Sequence, residues 1–167
     1  MKRLIAIMLA ACLMLCMAAC TTPVTETPGS DIPQQDSFDF TYNGVKIALN
    51  APAQAIIDAL GEPKSYSEST SCAFEGLDKT YGYPSIYLQT YTKGGIDYIY
   101  CWWFVDDLVS NNEGLSIGST LADVQACYSA SHFNGTDTYQ IKKGSGMMTI
   151  LLEDETVTSI QYVITND

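Results

Sequence analysis

Apolar residues recur at helical spacing in two stretches of the chain. Ala53, Ile56, Ile57 and Leu60 form one stripe, which Gly61 and Pro63 end. Leu121, Val124 and Tyr128 form the other, with Ser119 or Thr120 able to cap its start. Each stretch is followed by strand-like runs. After the first come residues 70–75, 84–91 and 97–105; after the second come 138–141, 147–152 and 156–164. Lys93-Gly94-Gly95, Lys143-Gly144-Ser145-Gly146 and Glu153-Asp154-Glu155 read as tight turns between neighbouring runs. The pattern predicts an α+β chain in two halves, each a helix followed by a three-stranded antiparallel meander.

The halves resemble each other. Asn43-Gly44-Val45-Lys46-Ile47 matches Glu113-Gly114-Leu115-Ser116-Ile117 at an offset of 70. The first helix matches the second at an offset of 68, with Ile56 over Val124 and Leu60 over Tyr128. Repeat one then covers about residues 43–109 and repeat two about 113–164. A half of roughly 60 residues buries little core alone, so the two are expected to pack together.

Alternation along 97–105 divides its side chains between two faces. Ile99, Cys101, Trp103 and Val105 share one; Tyr98, Tyr100, Trp102 and Phe104 share the other. Matching Ile99 to Ile160 of the last run assigns the Ile99 face to the helix-covered core. In the preceding run Ile86 and Leu88 go to the core, leaving Tyr87, Gln89 and Tyr91 outside. The expected open face therefore carries Tyr87, Tyr91, Tyr98, Tyr100, Trp102 and Phe104. Exposed aromatic patches mark interaction surfaces. Packing of the two halves sheet on sheet would instead bury this face.

The N-terminal pattern is different. Lys2 and Arg3 precede a run of apolar and small residues from 4 to 19, 16 in all and short of the ~20 that a spanning helix needs. The run ends Met17-Ala18-Ala19-Cys20, which resembles a bacterial lipobox. The resemblance implies that residues 1–19 are a signal peptide, cleaved before a lipid-modified Cys20. Each buried lipid CH₂ adds roughly 0.8 kcal/mol, so two or three acyl chains would hold the protein stably at a cell membrane, on its extracytoplasmic face. Residues 20–37, with three prolines and few large apolar side chains, read as a tether. The folded domain is expected over 38–167.

Charge and cysteines narrow the chemistry. Without residues 1–19 the chain keeps six lysines, no arginine and nineteen acids, a net charge of −13. That argues against nucleic acid or an anionic lipid surface as a charge-driven partner. Cys72, Cys101 and Cys127 remain beside Cys20, with one histidine, His132, and no CxxC. Zinc is not expected. The three thiols read as small buried apolar residues. A Cys72–Cys101 bridge would have to cross an intervening strand, a gap of about 10 Å. Cys101–Cys127 stays conceivable if Cys101 faces the helices. Asp106, Asp107, Asn111, Asn112 and Glu113 make an oxygen-rich loop without calcium-loop spacing, so a solvated turn is expected there. No cofactor, metal or catalytic constellation is expected.

Gly114 to Val124, with its Ile-Gly-Ser-Thr-x-x-Asp-Val core, and Ala59-Leu-Gly-Glu-Pro63 resemble helix signatures of the SmpA/OmlA and β-lactamase-inhibitor-protein-like (BLIP-like) repeats. The stretch Ser71-Cys-Ala-Phe-Glu-Gly-Leu-Asp-Lys79 resembles lipoproteins of gut Firmicutes. The resemblance covers about residues 43–164. It departs at Ser129, where the repeats usually have glycine. It implies an α+β tandem repeat, a non-enzymatic role and binding through the sheet. A protein-binding surface module is the resulting expectation. The alternatives are a glycan or cell-wall binder, an enzyme of unrecognised type using carboxylates such as Glu75 and Asp78, and an envelope-maintenance role.

Overall fold

Two-residue turns with both central residues at positive φ close several hairpins of this chain. Asn43-Gly44 and Gly94-Gly95 take this form, whose twist matches that of the strands it joins. The computed structural model describes residues 37–165. The expected signal peptide, Cys20 and the expected tether lie outside the described residues, except Ser37, which is buried and so belongs to the folded part.

A hairpin of β1 (Asp39–Tyr42) and β2 (Val45–Ala48) comes first, then helix α1 (Ala53–Leu60). Four strands follow: β3 (Ser65–Thr70), β4 (Glu75–Gly82), β5 (Ile86–Lys93) and β6 (Ile96–Phe104). Helix α2 (Leu121–Cys127) and a 3₁₀ turn (Ala130–His132) lead to β7 (Thr138–Lys143), β8 (Gly146–Glu153) and β9 (Thr156–Ile164). Thr120 caps α2 by a reciprocal capping box with Asp123. The α+β class is therefore correct. The first meander has four strands, not three. Residues 71–74, expected within a strand, are the turn between β3 and β4.

β3 to β9 form one antiparallel sheet in the order β3-β4-β5-β6-β9-β8-β7. The meanders join edge to edge, where Cys101, Trp102 and Trp103 of β6 oppose Val163, Tyr162 and Gln161 of β9. They do not stack sheet on sheet. One row running across all seven strands reads Tyr66, Tyr81, Leu88, Trp102, Tyr162, Met148, Ile141. Every member is apolar or aromatic, and from Tyr81 to Ile141 the row is the floor of the core, while Tyr66 at the edge is exposed. Phe40 and Tyr42 of β1, Ile47 of β2, Ala53 of α1 and Val124 of α2 complete it from above. The helices and the first hairpin thus lie on one face of the sheet. Among the described residues no helix is long and apolar enough to cross a membrane.

Candidate binding face

The face assignment for β6 changes at Tyr100. The register of β5 against β6 pairs Gln89 with Cys101 but Thr90 with Ile99, so Tyr100 is an extra, bulged residue. A bulge shifts the alternation by one and turns the following side chains over. Ile99 faces the core as expected, but so do Trp102 and Phe104, which are 0% and 3% exposed. Trp102 stacks on Tyr162 at 4.9 Å and Phe104 lies 5.1 Å from Phe40. These two are core residues, not part of the open face expected from the sequence. Cys101 and Trp103, expected in the core, lie on the opposite side.

The open face is defined by the two rows flanking the core row. The first runs Ser65, Gly82, Tyr87, Trp103, Gln161, Thr149, Gln140. The second runs Ser67, Thr80, Gln89, Cys101, Val163, Met147, Lys142. Tyr87 and Trp103 are half-buried and stack at 5.2 Å, 14° from parallel. Gly82 makes room for them, since a Cβ there would lie 2.8 Å from the Tyr87 ring. In the second row Gln89 donates to the Thr80 hydroxyl and accepts from the Cys101 thiol, both at 3.4 Å.

A second aromatic group lies further along β5 and β6. Ser71 accepts hydrogen bonds from the backbone N–H of Ala73 and Phe74, holding the turn that lays Phe74 against Tyr91 and Tyr100 at 4.4 and 5.2 Å. Tyr98 stands 5.8 Å from Tyr91. Phe74 thus covers Tyr91, which is only 7% exposed and whose hydroxyl donates to Asn50 Oδ1 at 2.6 Å. Burial raises the Tyr91 hydroxyl above its ordinary range. Of the six aromatic residues expected on the open face, Tyr87, Tyr98 and Tyr100 are half-buried there, and Tyr91 is there but covered. Sequence reasoning missed Trp103 and Phe74. A cleft of about 430 Å³ opens beside this group, lined by Ala73, Phe74, Glu75, Tyr91, Thr92 and Lys93. It contains one carboxylate, Glu75; Asp78 is not among its lining residues.

The remaining candidates are dispersed. Asn111 is buried. Its side-chain oxygen accepts from the N–H of Glu113 and Leu115, and its amide donates to the Tyr128 hydroxyl at 3.3 Å. Asp106 accepts from Leu108 N–H and Ser85, while Asn112 donates to the Asp39 carbonyl. The oxygen-rich loop therefore spends these side chains on its own fold. Among the described residues no three His, Cys, Asp or Glu side chains converge as a metal ion would require. His132 is half-buried in the 3₁₀ turn.

Cys72, Cys101 and Cys127 are all free. Only Cys101 is buried; Cys72 and Cys127, expected inside, are exposed. Cys72 sits in the β3–β4 turn, and Cys127 is at the outer end of a seven-residue helix that buries only Val124. Burial, then the charge of Asp78, pushes the Cys101 thiol up to about 12, so it stays protonated and unreactive near neutral pH. Alkylation of the native protein at mildly basic pH is therefore expected to label Cys72 and Cys127 and to spare Cys101 until denaturant is added. Peptide mapping reads this directly; early labelling of Cys101 would contradict its placement. No protein family, curated protein or solved structure matches the chain.

Proposed function

We propose that this protein is a non-catalytic binding module, held at the extracytoplasmic face of a cell membrane by lipid on Cys20. It presents the open face of its sheet to a partner. The observation that carries the binding role is the half-buried Tyr87–Trp103 pair, with Tyr98 and Tyr100, on a sheet face opposite the helices. Half-exposed aromatic side chains grouped on one surface are favoured anchors for a ligand. The lipobox-like Met17-Ala18-Ala19-Cys20 carries the membrane attachment, and the weak duplication supports a tandem-repeat ancestry of the BLIP-like kind.

Attachment and binding are tested separately. Metabolic labelling with a fatty acid is expected to mark the wild type and not Cys20→Ala; label kept by the variant would refute the anchor. For binding, the protein is used as bait for cell-envelope and extracellular material. Trp103→Ala is expected to lower recovery of the bound partner by about tenfold, in the range of an aromatic anchor. Equal recovery by both would sink the binding face. Trp102→Ala cannot serve here, because it empties the core.

A further inference from the structure

The central positions of the open face, Tyr87, Trp103, Gln89, Cys101, Gln161 and Val163, carry no charge. Its two complete rows hold fourteen positions and a single charged side chain, Lys142, at the β7 edge. The whole sequence carries nineteen acids. None of these acids stands in the two rows; Asp78, the next open-face position along β4, is close enough for its charge to act on Tyr100 and Cys101. Next to its aromatic residues lie amides and hydroxyls: Gln89 and Thr80 in one row, Gln161 and Thr149 in the other.

We infer that the open face binds an uncharged polysaccharide, laid along β5 and β6 between the Tyr87–Trp103 pair and the Tyr98–Tyr100 group. This rests on the open face being the binding surface. The C–H faces of sugar rings lie against the electron-rich faces of aromatic rings. Sugar hydroxyls both donate and accept, and so do Gln89 and Thr80 between the two groups and Gln161 and Thr149 beside the first. The two groups stand about 13 Å apart, four residues of strand, which exceeds one sugar ring and calls for a chain of several. The competing ligands fit less well. A nucleic acid or an acidic glycan needs lysine or arginine across the surface, and here the rows hold one lysine at an edge, with Lys93 beyond them at the cleft and Asp78 beside Tyr100. A protein interface uses arginine, and the domain has none, whereas these rows set threonine and glutamine beside the aromatic pair.

The test is affinity electrophoresis of the full chain in non-ionic detergent. The gels contain mixed-linkage β-glucan, glucomannan, xyloglucan or amylopectin as neutral probes, and polygalacturonate as the acidic one. At least one neutral polymer is expected to retard the protein, and polygalacturonate is not. Retardation is expected to survive a roughly tenfold rise in salt, because no ion pair is there to be screened. Trp103→Ala is expected to raise the apparent Kd about thirtyfold, and Tyr98→Ala with Tyr100→Ala to weaken it further, all with unchanged gel-filtration behaviour. No retardation by any neutral polymer overturns the inference, as does retardation that ignores Trp103→Ala or that salt abolishes. If the neutral polymers fail while Trp103→Ala still releases a captured protein, the ligand class falls and the binding face stands. If both fail, both fall.

Discussion

Trp102→Ala is expected to destabilise the domain by about 3–5 kcal/mol, whereas Trp103→Ala is expected to cost about 1 kcal/mol. The two tryptophans are adjacent and chemically identical, so the contrast isolates the face each occupies. Trp102 is fully buried on the core row, stacked on Tyr162 and 6.4 Å from Phe40. Removing its indole leaves a cavity between the sheet and the first hairpin. Trp103 is half-buried on the open face, and its removal chiefly takes away the stacking on Tyr87. Urea unfolding followed by circular dichroism reads both, through the shift in midpoint at constant slope. Equal costs, or a larger cost at Trp103, would mean that the bulge at Tyr100 is misplaced and the face assignment with it.

Asn111→Ala should be the second large effect, about 3 kcal/mol. Its side-chain oxygen is the acceptor for two backbone N–H groups, those of Glu113 at 3.1 Å and Leu115 at 2.8 Å. Its amide meets the Tyr128 hydroxyl and the Met148 sulfur. Alanine would leave two donors without their acceptor, at about 1–3 kcal/mol each where water cannot reach them. Leu115 is buried, so its N–H has little access to replacement water. The loss should appear as a lowered melting temperature that calcium does not restore. A calcium-dependent rise in the melting temperature of the wild type, absent in Asn111→Ala, would instead make the loop an ion site.

Helix and strand periodicity was legible wherever one face of an element is apolar and the other polar. Both helices, the last three strands and the turn at Gly94-Gly95 follow from it. β3, Ser65–Thr70, was not legible, because it is an edge strand with every residue exposed and so has no buried set to alternate. The β1–β2 hairpin is short, and its value lies in Phe40 and Ile47 closing over strands distant in the chain. In β6 both faces are apolar or aromatic, so alternation could divide its residues into two sets without saying which set is inside. Matching Ile99 to Ile160 settled that question correctly for Ile99 and wrongly from Cys101 onward. The bulge at Tyr100 has no local signature, since it arises from how β5 and β6 pair.

The local chemistry of the chain therefore specifies an α+β domain, its acidity, its lipobox-like start and the wealth of tyrosine and tryptophan in β5 and β6. Pairing between β6 and β9 specifies the rest. It joins the two meanders into one sheet, puts Trp102 beneath the helices and leaves Trp103 on the other side. That choice depends on contacts between residues some sixty positions apart, such as Trp102 with Tyr162. Period-two patterning reports the face of a strand only relative to its own neighbours, and one extra residue in a ladder reverses it for everything downstream.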